Sequence, residues 1–185
     1  MQTTYQLNVA HMTRELPLIQ INDHLKIASF VLLGDNQLAC ACAKELFTKL
    51  PACDAFVTFE SKGIPLAQEL ANLAGHCRFV VLRKAKKVYM KNPLTLNVNS
   101  ITTTQTQQLF LDENDAAFLA HKNVILVDDV ISTGASLAAG VSLLKQTSAT
   151  ICAQAAILAE GEAKKRQDIT YLAALPLFDL KGTPL

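Results

Sequence analysis

The sequence predicts an α/β fold, a mostly parallel sheet flanked by helices. Three observations carry this. Apolar runs of strand length alternate with segments of helical spacing from residue 35 to residue 158, the pattern that winds a parallel sheet. Half of the 185 residues are hydrophobic and only 18% are charged, enough apolar material to bury a core on both faces of such a sheet. No internal repeat, low-complexity tail or Pro/Gly-rich linker divides the chain, so one domain spanning 1–185 is expected at roughly 100–200 residues per domain.

Taken in order, Tyr5 to Phe30 carry short alternating stretches (Tyr5, Leu7, Val9, then Leu16, Leu18, Ile19, Ile21), the period of small strands. Asp35 then stands as a helix cap, and Leu38, Ala39, Cys42, Leu46 and Phe47 follow at helical spacing, which predicts a helix over Asp35 to Leu50. The alternation continues with strand Ala55 to Phe59, helix Ile64 to Ala74, strand Arg78 to Leu82, strand Asn123 to Val127, helix Ser136 to Gln146 and strand Thr150 to Leu158. Ligands of open parallel sheets bind beyond the carboxyl ends of the strands. The turns after Phe59 and Val127 are therefore the places to look.

Composition narrows the partners. Lys and Arg number 17 against 16 Asp and Glu, a net charge of +1, which is not the footprint of a nucleic-acid binder. Met1 to Ala10 lack a basic stretch followed by an apolar one, and no apolar run approaches the roughly 18 residues that span a bilayer. A cytoplasmic protein without membrane contact is expected. Cys40, Cys42, Cys53, Cys77 and Cys152 are odd in number and include no Cys-x-x-Cys pair, and the four histidines are scattered. Reduced thiols are expected, not disulfides or a structural zinc.

The densest chemistry follows the strand at Asn123. Val124-Ile125-Leu126-Val127 runs into Asp128-Asp129-Val130-Ile131-Ser132-Thr133-Gly134-Ala135-Ser136 and then a helix. A helix start offers unpaired N–H groups, and Thr133, Gly134 and Ser136 add hydroxyls and close backbone approach, which makes a phosphate cradle. Asp128 and Asp129 would repel a phosphate there. Their partners are sugar hydroxyls, which donate to carboxylates, or magnesium, which prefers oxygen. A phosphate beside a diol and a metal is a phosphorylated ribose.

This stretch resembles the binding motif of the type I phosphoribosyltransferases for 5-phosphoribosyl 1-diphosphate: an apolar run, two acids, two apolar residues, then x-Thr-Gly-x-Thr/Ser, with Ser136 the permitted variant. Two further segments are similar to the adenine enzymes of that family. Glu60-Ser61-Lys62-Gly63 resembles their Glu-Ser-Arg-Gly diphosphate loop, often held by a non-proline cis peptide, with Lys62 at the arginine position. Arg83-Lys84-Ala85-Lys86-Lys87 resembles their Arg-Lys-x-x-Lys, which makes Arg83, Lys84 and Lys87 diphosphate contacts. A plain turn and a solvated basic face are the ordinary readings of these two segments alone. The resemblance runs from about Asp35 to the end, including Leu175-Pro176-Leu177-Phe178.

What it implies is a ribosyl transfer in which a purine nitrogen attacks C1 of the ribose and diphosphate leaves. Asp128, Asp129 and Arg83 would be catalytic, Val130, Ile131, Ser132, Thr133, Gly134, Ala135 and Ser136 would hold the 5-phosphate, and Mg2+ would sit at Asp128 and Asp129, mostly through ligand and water. Segment 1–34 with 175–185 would form a hood, with Arg14, Glu15 and Leu16 as candidate residues. Residues 92–111, uncharged from Asn92 to Leu111, would be a β flap closing over the substrate with Ser100, Thr102 and Thr103. The family also implies a homodimer.

Adenine is the expected base. Hypoxanthine/guanine enzymes usually carry aspartate where this chain has Ser132, and orotate enzymes carry an arginine where it has Glu160-Gly161. Xanthine or another nucleobase is the alternative, since xanthine enzymes share the Thr/Ser-rich flap. The reading from another class is a non-catalytic sensor of the same diphosphate that regulates purine genes, because purine repressors carry a stretch similar to Lys62-Gly63-Ile64-Pro65-Leu66-Ala67.

Overall fold

In the computed structural model, which describes residues 2–98 and 107–185, strand β4 (Ala55–Phe59) is buried at every position. Around it lie β5 (Val80–Leu82), β8 (Asn123–Ile131), β9 (Thr150–Glu160) and β10 (Thr170–Leu175), in the order β10-β9-β8-β4-β5 and parallel throughout. Both faces of this sheet are apolar, as a parallel sheet with helices on two sides requires. Helices α1 (Asn36–Phe47) and α2 (Ile64–Leu73) cover the face carrying Phe56, Ile125 and Ile157. Helices α3 (Glu113–Leu119) and α4 (Ala135–Leu144) cover the face carrying Val57, Leu126 and Ala156.

Strands β1 (Thr4–Val9), β2 (Met12–Asn22) and β3 (Leu25–Ala28) form an antiparallel sheet whose last member, β11 (Leu177–Phe178), comes from the other end of the chain. Strands β6 (Leu94–Val98) and β7 (Gln107–Leu111) pair as an antiparallel hairpin. The three residues assigned to the flap, Ser100, Thr102 and Thr103, lie outside the described residues.

Several boundaries differ from the sequence expectation, each for a physical reason. β8 runs on to Ile131 instead of stopping at Val127, because its ladder with β9 continues through Val130 to Leu158 and Ile131 to Ala159. β9 likewise reaches Glu160, paired to Leu175. β5 begins at Val80, not Arg78: the Arg78 guanidinium turns away to pair with Asp115 and lies 4.3 Å from the centre of the Phe118 ring. α2 stops at Leu73, and the chain leaves it through Gly75 at φ +70°. α4 starts one residue early, at Ala135, and tightens into a 3-10 turn at Lys145–Thr147.

Candidate active site at the carboxyl end of the sheet

Two loops meet beyond β4 and β8. The β4 loop, Glu60 to Gly63, has a cis peptide between Glu60 and Ser61, and Pro65 sits in the first turn of α2, where its missing N–H costs nothing. Gly63 is where the loops touch. A Cβ there would run into Thr58 Oγ1 and lie 3.0 Å from Asp128 Oδ1, so only a hydrogen fits.

Because β8 extends through both acids, Asp128 and Asp129 are strand residues near its carboxyl end. Asp128 Oδ1 accepts from the Asp129 N–H at 2.9 Å, while Asp129 Oδ2 is buried with no hydrogen-bond partner among the described residues. Burial pushes both carboxyls above the ordinary aspartate range, and the neighbouring Asp129 charge raises Asp128 further. Against burial, the Asp128 side chain and the Lys62 charge draw Asp129 back down. Such a pair calls for a cation or for sugar hydroxyls.

Past β8 the chain turns through Gly134 at φ +78° into α4, a conformation that favours glycine. Residues Ile131 to Leu137 wrap a cavity of about 120 Å³ that Asp128 and Val130 complete. The first-turn amides of α4 and the hydroxyls of Ser132, Thr133 and Ser136 belong to this loop. A helix start with free N–H groups and neighbouring hydroxyls is suited to an anion.

The basic segment is tied to the β4 loop by one carboxylate. Glu60 accepts from the Lys84 N–H at 3.0 Å, pairs with Lys87 Nζ at 3.1 Å, and lies 3.9 Å from Arg83 Nη1. Burial raises the Glu60 carboxyl, but these three donors win and hold it below the ordinary glutamate range. Glu60 therefore orients cations. Arg83 is further held by reciprocal backbone bonds to Phe110 of β7, both 2.8 Å, and its Nε is buried without a partner among the described residues.

A second cavity, about 250 Å³, opens between the antiparallel sheet and the strand ends, walled by Ile27, Phe30, Val130 and Leu175 and bearing Lys62, Asp129, Ser132 and Glu160. Lys62 of the β4 loop thus also lines this cavity, together with Phe30, which lies between β3 and the Asp35 cap where no motif marks it.

Arg14, Glu15 and Leu16 are not on this cavity. They line another of about 300 Å³, where Arg14 forks onto Asp35 through Nε at 2.6 Å and Nη2 at 3.0 Å.

A small cavity at the start of α4, two acids in the last residues of β8 and a lysine-bearing loop thus gather at the carboxyl end of one parallel sheet. The chain belongs to the phosphoribosyl transferase domain family, whose model matches residues 35–176, and its fold is the type I phosphoribosyltransferase fold. It is 30% identical over 112 residues to a hypoxanthine/guanine phosphoribosyltransferase of Methanocella arvoryzae, covering 60% of this chain and 54% of that one. The chain thus spans about half the length of that relative. It is 31% identical over 122 residues to an adenine phosphoribosyltransferase of Acidiphilium cryptum, covering 65% and 68%. Among solved structures, the adenine phosphoribosyltransferase of Thermoanaerobacter pseudethanolicus superposes with a TM-score of 0.69 at 20% identity, covering 86% of this chain and 95% of that one. No helix among the described residues is long and apolar enough to cross a membrane.

Proposed function

We propose that the chain transfers the phosphoribosyl group of 5-phosphoribosyl 1-diphosphate to a purine base, adenine by preference, giving AMP and diphosphate. The observation that carries this is the convergence of the 131–137 cradle, the Asp128–Asp129 pair and the Glu60-anchored cations around two adjoining cavities. In this reading the cradle holds the 5-phosphate and the acids receive the ribose hydroxyls. The purine lies in the larger cavity against Phe30, under the hood of β1 to β3 and β11. Negative charge grows on the departing diphosphate, and Arg83, Lys84 and Lys87 are preorganised to receive it. Positive charge grows on the sugar beside Asp128 and Asp129.

Magnesium fits the donor set. No cluster of three or more His, Cys, Asp or Glu ligands occurs among the described residues, and magnesium is commonly held by one or two carboxylates plus substrate oxygens and water. Asp129 Oδ2, buried and unpartnered, is the protein oxygen suited to it, with Asp128 beside it. When bound, the ion neutralises charge on the diphosphate.

A second reading, transfer to a 6-oxopurine, is favoured by Lys62 on the base cavity, since an ammonium donates to a carbonyl oxygen. The two are separated by kcat/KM for adenine, hypoxanthine, guanine, xanthine and orotate under one donor and magnesium concentration. Adenine is expected to lead. A lead for hypoxanthine or xanthine would overturn the base assignment and leave phosphoribosyl transfer standing. A regulator that catalyses nothing would consume no base and would retain purine-operator DNA in a salt-dependent way.

A further inference from the structure

The base cavity carries two carboxylates, and only Asp129 has a role in the reaction above. The other is Glu160, the last residue of β9, half-buried and on the same cavity as Ser132 and Lys62. Its side chain does not cap the 3-10 turn that follows and joins none of the ion pairs among the described residues. The backbone beneath it is well fixed. Glu160 is in register with Leu175 of β10, and the preceding Ala159 is in register with Ile131, the residue before Ser132. Gly161 follows at φ +57°, packed so that a Cβ would lie 3.0 Å from Leu177 Cδ1.

An ionised carboxylate only accepts hydrogen bonds. Held at the edge of a cavity and hydrogen-bonded to no side chain among the described residues, it favours a ligand that brings an N–H over one that brings a carbonyl oxygen or a negative charge. We propose that Glu160 is the specificity-determining acceptor for the exocyclic amino group of the base, which makes a neutral 6-aminopurine the preferred substrate class. The assignment rests on the phosphoribosyl-transfer reading and deepens it. Adenine offers its amino hydrogens at the six position. Hypoxanthine turns an oxygen to the same carboxylate, leaving two acceptors opposed, a mismatch that polar sites reject by large factors.

The test uses the full chain with 5-phosphoribosyl 1-diphosphate and magnesium, comparing the unmodified protein with Glu160→Gln and Glu160→Asp. Gln can turn a donor toward an oxygen, so the adenine-to-hypoxanthine ratio of kcat/KM should fall at least about tenfold. The change should lie in the KM for the base, with the KM for the diphosphate donor unmoved. Glu160→Asp keeps an acceptor and should keep the preference for adenine. An unchanged ratio in Glu160→Gln, or an equal loss for both bases together with a raised donor KM, would overturn the assignment while leaving transfer intact. Failure of the unmodified protein to bind any purine in titration calorimetry would overturn both readings.

Discussion

Asp128 and Asp129 illustrate how function and stability part at single residues. Two buried acids at a strand end are costly, and burial raises both carboxyls. Replacing both with Asn keeps size and the Asp128 acceptor for the Asp129 N–H. The double variant should fold normally and lose at least about 2 kcal/mol of transition-state stabilisation. Circular dichroism with kcat/KM checks this, and full activity would contradict it. Gly63 makes the opposite case. The Cβ of Gly63→Ala has to displace Thr58 or Asp128, a backbone-close overpacking expected to cost about 1–3 kcal/mol. Urea unfolding reads the stability loss, and the raised donor KM reports the shift of Asp128.

Among elements, α1 and the basic segment are each fixed by one carboxylate. Asp35 caps α1 through the Leu38 N–H at 3.1 Å and binds Arg14 of β2, so it fastens the antiparallel sheet to the core. The Arg14 fork is the main cause that holds the Asp35 carboxyl below its ordinary value of 3.8, against burial and with help from the Leu38 N–H. A lowered acid contributes stability fully above its unfolded pKa and loses it as pH falls through the folded one. Asp35→Ala should therefore cost about 1 kcal/mol from the cap alone at neutral pH. The gap to the unmodified protein should close as pH falls below 3.8, which denaturation midpoints across pH will show.

Arg83, held by Phe110 and facing Glu60, is the cation proposed to receive the diphosphate. Arg83→Ala should weaken the diphosphate donor by about tenfold or more, the scale of a lost charge-assisted hydrogen bond, and AMP much less. Equal weakening of both in titration calorimetry would remove that assignment. Local patterning made the core strands and α1 legible, since each has either a continuous apolar run or a capped helical period. It hid α3, a seven-residue helix with one buried side chain, Leu119, and it ended β8 early because two acids read as loop. What carried β8 through them was pairing with β9, a partner no local pattern names.

On the scale of the whole molecule, the strand order β10-β9-β8-β4-β5 brings together residues far apart in sequence. Glu60, Arg83 and Asp128 were each legible as chemistry because their neighbours form motifs. Lys62, Phe30 and Glu160 share a cavity only because β3, β4 and β9 end at the same place, so their proximity becomes visible only with the fold. It is this convergence that is proposed to transfer a phosphoribosyl group. The most direct test is incubation of radiolabelled adenine with 5-phosphoribosyl 1-diphosphate and magnesium, with the Asp128→Asn, Asp129→Asn protein in parallel. Labelled AMP and an equal amount of diphosphate are expected, with the double variant slower by roughly 30-fold or more. No nucleotide from adenine or from any other purine base would contradict it.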